Sequence, residues 1–195
     1  MKKTLLNLVT LSISAVIKAA LPLEYYLRRI FYLSLVRADL KDIDISLQCD
    51  GRIFLSGTKD IHVGRRCRMG RDTVLRTMEC GHISLGSDIR INRGATLVSY
   101  SKISIGDYAI IGEFVSIRDA NHGTSPEKPM RNQKHTTSPI DIGKDVWIGR
   151  GCCILPGVTI GKGSIIGANS VVTGDIPPYS IAAGIPAKVI KQRQT

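Results

Sequence analysis

The sequence predicts a mainly β fold in which short strands wind into stacked coils. Three observations support this prediction: an aliphatic residue recurs every six positions, glycine occurs 19 times, and aromatic residues make up only 5% of the 195-residue chain. A period of six matches neither the helical repeat nor an uninterrupted strand alternation. It is typical of short strands that are joined by tight turns and repeated along the chain.

The repeat is most regular towards the C-terminus. One ladder of aliphatic side chains is spaced six residues apart without a slip: Ile142, Ile148, Ile154, Ile160, Ile166 and Val172. A companion ladder stands two positions earlier: Ile140, Val146, Cys152, Val158, Ser164 and Ser170. Shorter blocks with the same template precede them, around Ile91 and around Ile111. We expect both ladders to fill one core, with like residues stacked over like and with glycines at the corners.

Residues 1–43 form a segment of a different kind, for which the sequence predicts amphipathic, hydrophobic helices broken near Pro22. The first apolar run is short for a membrane span and contains Lys18, which also argues against a signal peptide. Several basic residues are available to anionic lipid headgroups: Lys2, Lys3, Lys18, Arg28, Arg29, Arg37 and Lys41. Two roles remain open for this segment, namely peripheral contact with an anionic membrane surface and packing on a neighbouring subunit.

Charge and cysteine content narrow the class of protein. The net charge of +11 favours anionic partners. The few scattered aromatic residues provide no stacking platform, so nucleic acid is not an expected partner. The five cysteines lack CxxC spacing, which argues against a disulfide framework and a zinc site, and the histidines suggest no other metal site. Reduced cysteines suit a cytoplasmic protein.

The segment from Ser138 to Lys191 carries a family resemblance. It reads S-P-I-D-I-G-K-D-V-W-I-G-R-G-C-C-I-L-P-G-V-T-I-G-K-G-S-I-I-G-A-N-S-V-V-T-G-D-I-P-P-Y-S-I-A-A-G-I-P-A-K-V-I-K. This segment resembles the hexapeptide-repeat acyltransferases, above all the galactoside and maltose type of sugar O-acetyltransferase, and the resemblance covers about residues 60–192. It implies a left-handed parallel β-helix over residues 44–192, acetyl-CoA as co-substrate without a metal, and assembly as a homotrimer.

The repeat fails from residue 118 to residue 139, where a polar loop begins R-D-A-N-H-G-T. A loop of this length in a compact domain is usually functional or disordered. The resemblance implies that it carries the catalytic histidine, His122, into a cleft between subunits, where neutral imidazole removes a hydroxyl proton. Asp119, Asn121 or a backbone carbonyl would orient the second ring nitrogen. His135 is the weaker candidate because its surroundings, Q-K-H-T-T, lack the family match.

The resemblance also implies a donor site. The residues that it implies along the pantetheine arm of coenzyme A are Trp147, Gly149, Arg150 and Ala168. Thr173 and Gly174 match a further contact position. Lys188 and Lys191 match the basic positions at the nucleotide phosphates. Galactoside-type relatives have a lysine at the position of Gly174, so a side-chain contact is missing there. For Trp147, the alternative to a donor-site role is packing at a subunit contact. For Lys188 and Lys191, the alternative is a solvated C-terminal tail.

On the acceptor side, galactoside-type relatives have an asparagine where this chain has Gly94, and Asn92 is the nearest candidate. The sequence therefore predicts an acetyl-CoA-dependent O-acetyltransferase that acts by direct transfer on a sugar hydroxyl. The expected acceptor belongs to a bacterial surface polysaccharide or its lipid-linked precursor, and the expected location is the cytoplasm, with peripheral contact to the inner face of its membrane. A soluble sugar or antibiotic acceptor, or a non-catalytic β-helix scaffold, are the alternatives.

Overall fold

The computed structural model describes residues 2–40 and 43–193. Helix α1, Lys2–Asp39, comes first and leads into the β-structure. It continues through Pro22, at which the sequence predicts a break, because a proline removes one backbone hydrogen bond and can kink a helix without ending it. Among the described helices, none is both long enough and apolar enough to span a membrane. Lys41, one of the predicted headgroup-binding residues, lies outside the described residues.

The strands follow in chain order. The first three coils contain β1 (Gln48–Cys49), β2 (Ile53–Gly57), β3 (Ile61–Val63), β4 (Arg68–Met69), β5 (Thr73–Thr77), β6 (His82–Leu85), β7 (Arg90–Ile91), β8 (Thr96–Ser99) and β9 (Lys102–Ile105). The fourth coil contains β10 (Ile110–Ile111), β11 (Ser116–Arg118), the loop strands β12 (Ala120–His122) and β13 (His135–Thr137), and β14 (Ile140–Ile142). The last coils contain β15 (Trp147–Ile148), β16 (Cys153–Ile154), β17 (Thr159–Ile160), β18 (Ile165–Ile166), β19 (Val171–Val172), β20 (Ser180–Gly184) and β21 (Ala187–Gln192).

Three sheets form the faces of a prism. The first face has the order β1-β4-β7-β10-β15-β18-β20-β21, the second is built from β2, β5, β8, β11, β16 and β19, and the third from β3, β6, β9, β14 and β17. Neighbouring strands are parallel, except that β21 turns back antiparallel to β20. We call the corner between the first and second faces the first edge, and the corner between the second and third faces the second edge. The predicted mainly β fold, a parallel β-helix with an N-terminal helix and a protruding loop, is confirmed.

The aliphatic ladders fill the core, as the period of six predicts. Ladder members from Ile142 to Val172 are at most 1% exposed, and so are the companions from Ile140 to Ser170. The register stacks like over like, since Ile142 pairs with Ile105 on one side and with Ile160 on the other. At the N-terminal end the core takes in three more side chains: Val36, Leu40 and Ile43. Residues before and after position 43 therefore share one core where they meet.

The corner glycines act through close packing. Gly143 and Gly149 each follow a buried ladder residue, and a Cβ on either would lie 2.7 Å from a backbone nitrogen of the next coil. The left-handed backbone conformation falls two residues later, as at Asp145 (φ 57°) and Gly151 (φ 69°). The sequence assigns these glycines to the turn itself, whereas the structure shows that they allow adjacent coils to approach each other.

Candidate active site

The predicted interruption is a loop that leaves the prism at the second edge. β11 ends at Arg118 on the second face, and β14 begins at Ile140 on the third. The base of the loop is an antiparallel ribbon in which β12 pairs with β13 and His122 stands opposite His135. Because a ribbon fixes the direction of its side chains, the sequence position of His122 becomes a defined position in space.

Three rings stack at the base of this loop. The ring centroids of His122 and His135 are 4.6 Å apart with the planes at 42°, and those of His135 and Tyr100 are 4.3 Å apart with the planes at 34°. His122 is exposed, whereas His135 and Tyr100 are half-buried. Sequence reasoning ranked His135 below His122, because only the cross-strand register brings the two residues together. A hairpin interpretation of A-N-H and H-T-T would have been the available signal.

Asp119 anchors the base of the loop. Its side chain is fully buried. The carboxylate accepts three hydrogen bonds from one turn of the preceding coil: from Ser99 Oγ at 2.7 Å, from the Tyr100 N–H at 2.8 Å and from the Ser101 N–H at 2.9 Å. The backbone carbonyl of Asp119 accepts the N–H of Ser138 at 2.9 Å, where the loop returns. Both carboxylate oxygens are engaged in this way, so Asp119 holds Tyr100 in the ring stack instead of bonding His122 directly.

The other predicted orienting group, Asn121, is exposed on the ribbon opposite Thr136. Further out, the loop is closed by Gln133. Its side chain accepts the N–H of Ser125 at 2.9 Å and donates to the carbonyls of Ser125 at 2.8 Å and Lys128 at 2.7 Å. A 3₁₀ turn, Met130–Asn132, precedes Gln133. The loop is therefore internally hydrogen-bonded from its base to its tip.

The predicted pantetheine-binding residues lie together on the first edge. Gly149 and Arg150 follow β15, and Ala168 follows β18 one coil later, with its nitrogen 2.7 Å from a Cβ built on Gly149. Arg150 and Ala168 are exposed, and Trp147 is 51% exposed on the adjoining first face. Gly149 itself is buried and its N–H donates to the Ile166 carbonyl at 2.8 Å, so the edge offers small residues, the exposed Ala168 and a cation along one line. Such a line suits an amide-rich arm with an anionic end.

The remaining donor-side residues are divided between two places. Lys188 and Lys191 are exposed on β21, and Lys188 stands opposite Ala183. The Cβ of Ala183 lies 2.8 Å from a Cβ built on Gly167, which is on the first edge. Lys188 therefore continues the line of the first edge towards the C-terminal end of the chain. Thr173 and Gly174 follow β19 at the second edge instead, in the column above the loop exit. A Cβ on Gly174 would meet no atom within 4 Å.

Asn92 also lies on the first edge, after β7. Its backbone N–H donates to the Ile111 carbonyl at 2.8 Å, and its side chain is half-buried. Gly94 has a φ of +70°, and a Cβ built on it would lie 2.6 Å from the ring of Phe114. The asparagine that galactoside-type relatives have at this position would therefore displace Phe114, which gives a physical reason for the departure from their pattern.

The two halves of the predicted site lie on different edges of one chain. His122 leaves the prism at the second edge, whereas Gly149, Arg150 and Ala168 line the first. A general base must reach within hydrogen-bonding distance of the hydroxyl that it deprotonates, and that hydroxyl must in turn reach the thioester. The predicted base and the predicted donor residues are therefore placed apart within one chain.

Comparisons with known proteins agree with this fold. The family described as "Bacterial transferase hexapeptide (six repeats)" matches residues 139–174. The chain is 33% identical over 147 residues to the putative lipopolysaccharide biosynthesis O-acetyl transferase WbbJ of Escherichia coli, covering 71% of this chain and 75% of that protein. It is 41% identical over 117 residues to galactoside O-acetyltransferase of the same organism, covering 57% of each. The chain belongs to the hexapeptide-repeat transferase family, as the sequence predicts.

Across its first three curated relatives, the chain spans between 51% and 75% of their length, about half in two of them. A solved structure with a similar fold is AntD, an N-acyltransferase from Bacillus cereus in complex with dTDP and 3-hydroxybutyryl-CoA. The two chains superpose with a TM-score of 0.70 and are 22% identical, covering 83% of this chain and 87% of that one. This likeness is one of fold.

Proposed function

We propose that the protein is an acetyl-CoA-dependent O-acetyltransferase that works as a homotrimer and modifies a sugar hydroxyl, with His122 as general base. The observation that carries this proposal is the exposed His122 ring on a braced ribbon at one edge, together with the open first edge elsewhere on the chain. Relatives named as O-acetyltransferases support the reaction class.

The reaction is a direct transfer. Neutral His122 removes the proton of the acceptor hydroxyl as the oxygen attacks the thioester carbonyl, and the acetyl group passes from sulfur to oxygen. The thiolate of coenzyme A leaves and takes the proton from the imidazolium, so the products are an ester and a free thiol. The described ring contact of His122 is with His135, and no serine hydroxyl or cysteine thiol is among its described partners, which favours direct attack over a covalent acyl-enzyme.

The buried cysteines are poor acyl carriers. Burial raises the pKa of the Cys49 thiol to about 11, and burial likewise raises the pKa of Cys67 and of Cys152. Since the thiolate is the nucleophilic form, these residues are almost wholly protonated at neutral pH. Their positions in the core suit packing and not group transfer.

On the donor side, the exposed corner at Ala168 is proposed to bond the amides of the pantetheine arm, and Gly149 is proposed to border the arm with no side chain in its way. Arg150 and Lys188 would meet the phosphates, because both are exposed cations on the same line. Trp147, beside this line, offers an aromatic face to the arm. Lys191 extends the basic surface, and Thr173 is proposed to contact the donor only through a neighbouring copy, because it lies on the second edge.

The proposed acceptor is a sugar of a bacterial surface polysaccharide or its lipid-linked precursor. Likeness to a protein named for lipopolysaccharide biosynthesis supports this choice. The greater identity to galactoside O-acetyltransferase favours a second candidate, a small soluble glycoside. Asn92 and Asn121, both with available side-chain amides, are the proposed acceptor contacts, and a cytoplasmic location follows from the need for acetyl-CoA.

The proposal is tested by following thiol release from acetyl-CoA in the presence of soluble glycosides and lipid-linked saccharides. We expect release that depends on a hydroxyl acceptor, with one acetyl group added to the product by mass spectrometry. The acceptor that supports turnover distinguishes the two candidates. Acetylation of amines alone, or release that does not depend on any acceptor, would contradict the proposed O-transfer.

The ring stack gives a prediction of its own. His135→Ala should lower kcat about tenfold with the KM for acetyl-CoA nearly unchanged, because the His122 ring loses the surface that orients it. His135→Phe keeps a flat ring and is the matched control, which should retain most of the activity. Steady-state kinetics across a pH range measures both. An equal loss in the two variants would contradict a stacking role and assign a proton-holding role to the His135 imidazole.

A further inference from the structure

Helix α1 packs on the core near its C-terminal end and leaves other large apolar side chains exposed. Val36, near its C-terminal end, is buried in the core. Leu27 lies nine residues earlier, which at 3.6 residues per turn places it on the opposite side of the helix. Leu27 is 57% exposed, and its neighbours on that side, Leu23 and Phe31, are 64% and 58% exposed. We call this side of α1, with Leu23, Leu27 and Phe31, the outward stripe.

The outward stripe continues towards the N-terminus. Val16, at 70% exposed, and Ile13, at 53% exposed, lie on the same side at helical spacing from Leu23 and Leu27. A surface helix normally turns its apolar side to the core and its polar side to water. Here Val36 does face the core, but the opposite side of α1 is apolar as well, and a contiguous exposed apolar surface marks an interaction site.

Basic residues border the outward stripe on both sides. Arg28 and Arg37 are exposed and lie about a quarter turn from Leu27, in opposite directions around the helix. The range of α1 contains six basic and two acidic residues. Both acidic residues are paired, Glu24 with Arg28 at 2.7 Å and Asp39 with Lys59. The helix therefore carries an excess of positive charge beside its apolar surface.

An apolar groove continues this surface onto the first coil. Its volume is about 270 Å³. It is lined by apolar side chains of α1 and of the following segment, together with one cation: Tyr26, Arg29, Ile30, Leu33, Ile45 and Leu47. Ile45 is 77% exposed at this place. An apolar surface next to an arginine has the chemistry of a phospholipid contact, in which acyl chain and phosphate are adjacent.

We propose that α1 lies in the surface of an anionic bilayer, with Leu23, Leu27 and Phe31 among the acyl chains and the arginines at the headgroup phosphates. A second copy of the chain is the competing occupant. It would bring the same excess of positive charge to the contact, whereas an anionic membrane brings the opposite charge. This inference rests on α1 and the adjoining groove and is independent of the transfer reaction.

Co-sedimentation of the full chain with vesicles tests the inference. Vesicles of phosphatidylcholine with phosphatidylglycerol should bind the protein, and vesicles of phosphatidylcholine alone should bind it more weakly. Leu27→Glu/Phe31→Glu should lower partitioning by more than about tenfold, because two large apolar side chains leave the acyl region. The matched control, Val189→Glu/Ile190→Glu, makes the same change in charge at exposed positions on β21 and should bind as the wild type does.

A second variant keeps the test valid if the first one misfolds. Arg28→Gln/Arg37→Gln leaves the apolar stripe intact and should weaken binding to the anionic vesicles only. Wild-type protein that fails to bind the anionic vesicles overturns the inference, as does equal binding by all variants. If the oligomer instead dissociates in Leu27→Glu/Phe31→Glu while wild-type protein ignores the vesicles, a second copy covers the stripe. Thiol release with a soluble acceptor, measured in parallel, reports on the transfer reaction separately.

Discussion

Replacement of His122 with alanine should lower kcat by roughly 100- to 10,000-fold, the range that general-base assistance supplies. The KM for acetyl-CoA should change little, because the proposed base acts on the acceptor hydroxyl and is not among the residues proposed to hold the donor, and its ring contact is with His135. The exposed side chain contributes little packing, so the free energy of unfolding should stay close to that of the wild type. Steady-state kinetics and thermal unfolding measure the two effects.

His62→Ala is the matched control for this variant. His62 is also exposed, but it lies on β3 of the third face, far along the chain from the loop. It should retain the wild-type kcat. Wild-type turnover in His122→Ala would remove the proposed base, and a large rise in KM without a change in kcat would make His122 a binding residue instead.

The repeat could be predicted from the sequence because it is local. Ile148 and Ile154 are both buried, as two ladder members six residues apart must be if each coil repeats the same geometry. The limits of the loop were also accessible, since the failure of the sixes after Arg118 coincides with the end of β11, and their return coincides with β14.

What the sequence does not reveal depends on contacts between coils. Asp119 was a candidate for orienting His122, but its carboxylate serves the turn at Ser99 and Tyr100, one coil earlier. His135 was the weaker candidate, but the ribbon register places it against His122. Neither pairing has a fixed spacing in the sequence. Tyr100 illustrates the same point, because its place in the ring stack depends on its contacts with Asp119 and His135.

Two variants that are each inactive should restore activity when they form mixed trimers. His122→Ala lacks the proposed base. Ala168→Trp places a large side chain on the first edge, where Ala168 is now exposed, and should obstruct the pantetheine arm. With random assembly of equal amounts, about a quarter of the interfaces combine an intact His122 with an intact first edge. The whole mixture should therefore show about a quarter of the wild-type kcat, against about a hundredth or less for His122→Ala alone.

The informative control mixes wild-type chains with the double variant His122→Ala/Ala168→Trp. If each site is shared between two copies, this mixture also has about a quarter of its sites intact, since both contributing chains must be wild type. If each site lies within one chain, the control should keep about half of the activity and the mixture of single variants should have none. Co-expression in equal amounts and kinetics on the whole, unfractionated population of trimers measures both ratios. The pair of values thus decides whether the separation of His122 from the first edge within one chain is bridged by a neighbouring copy.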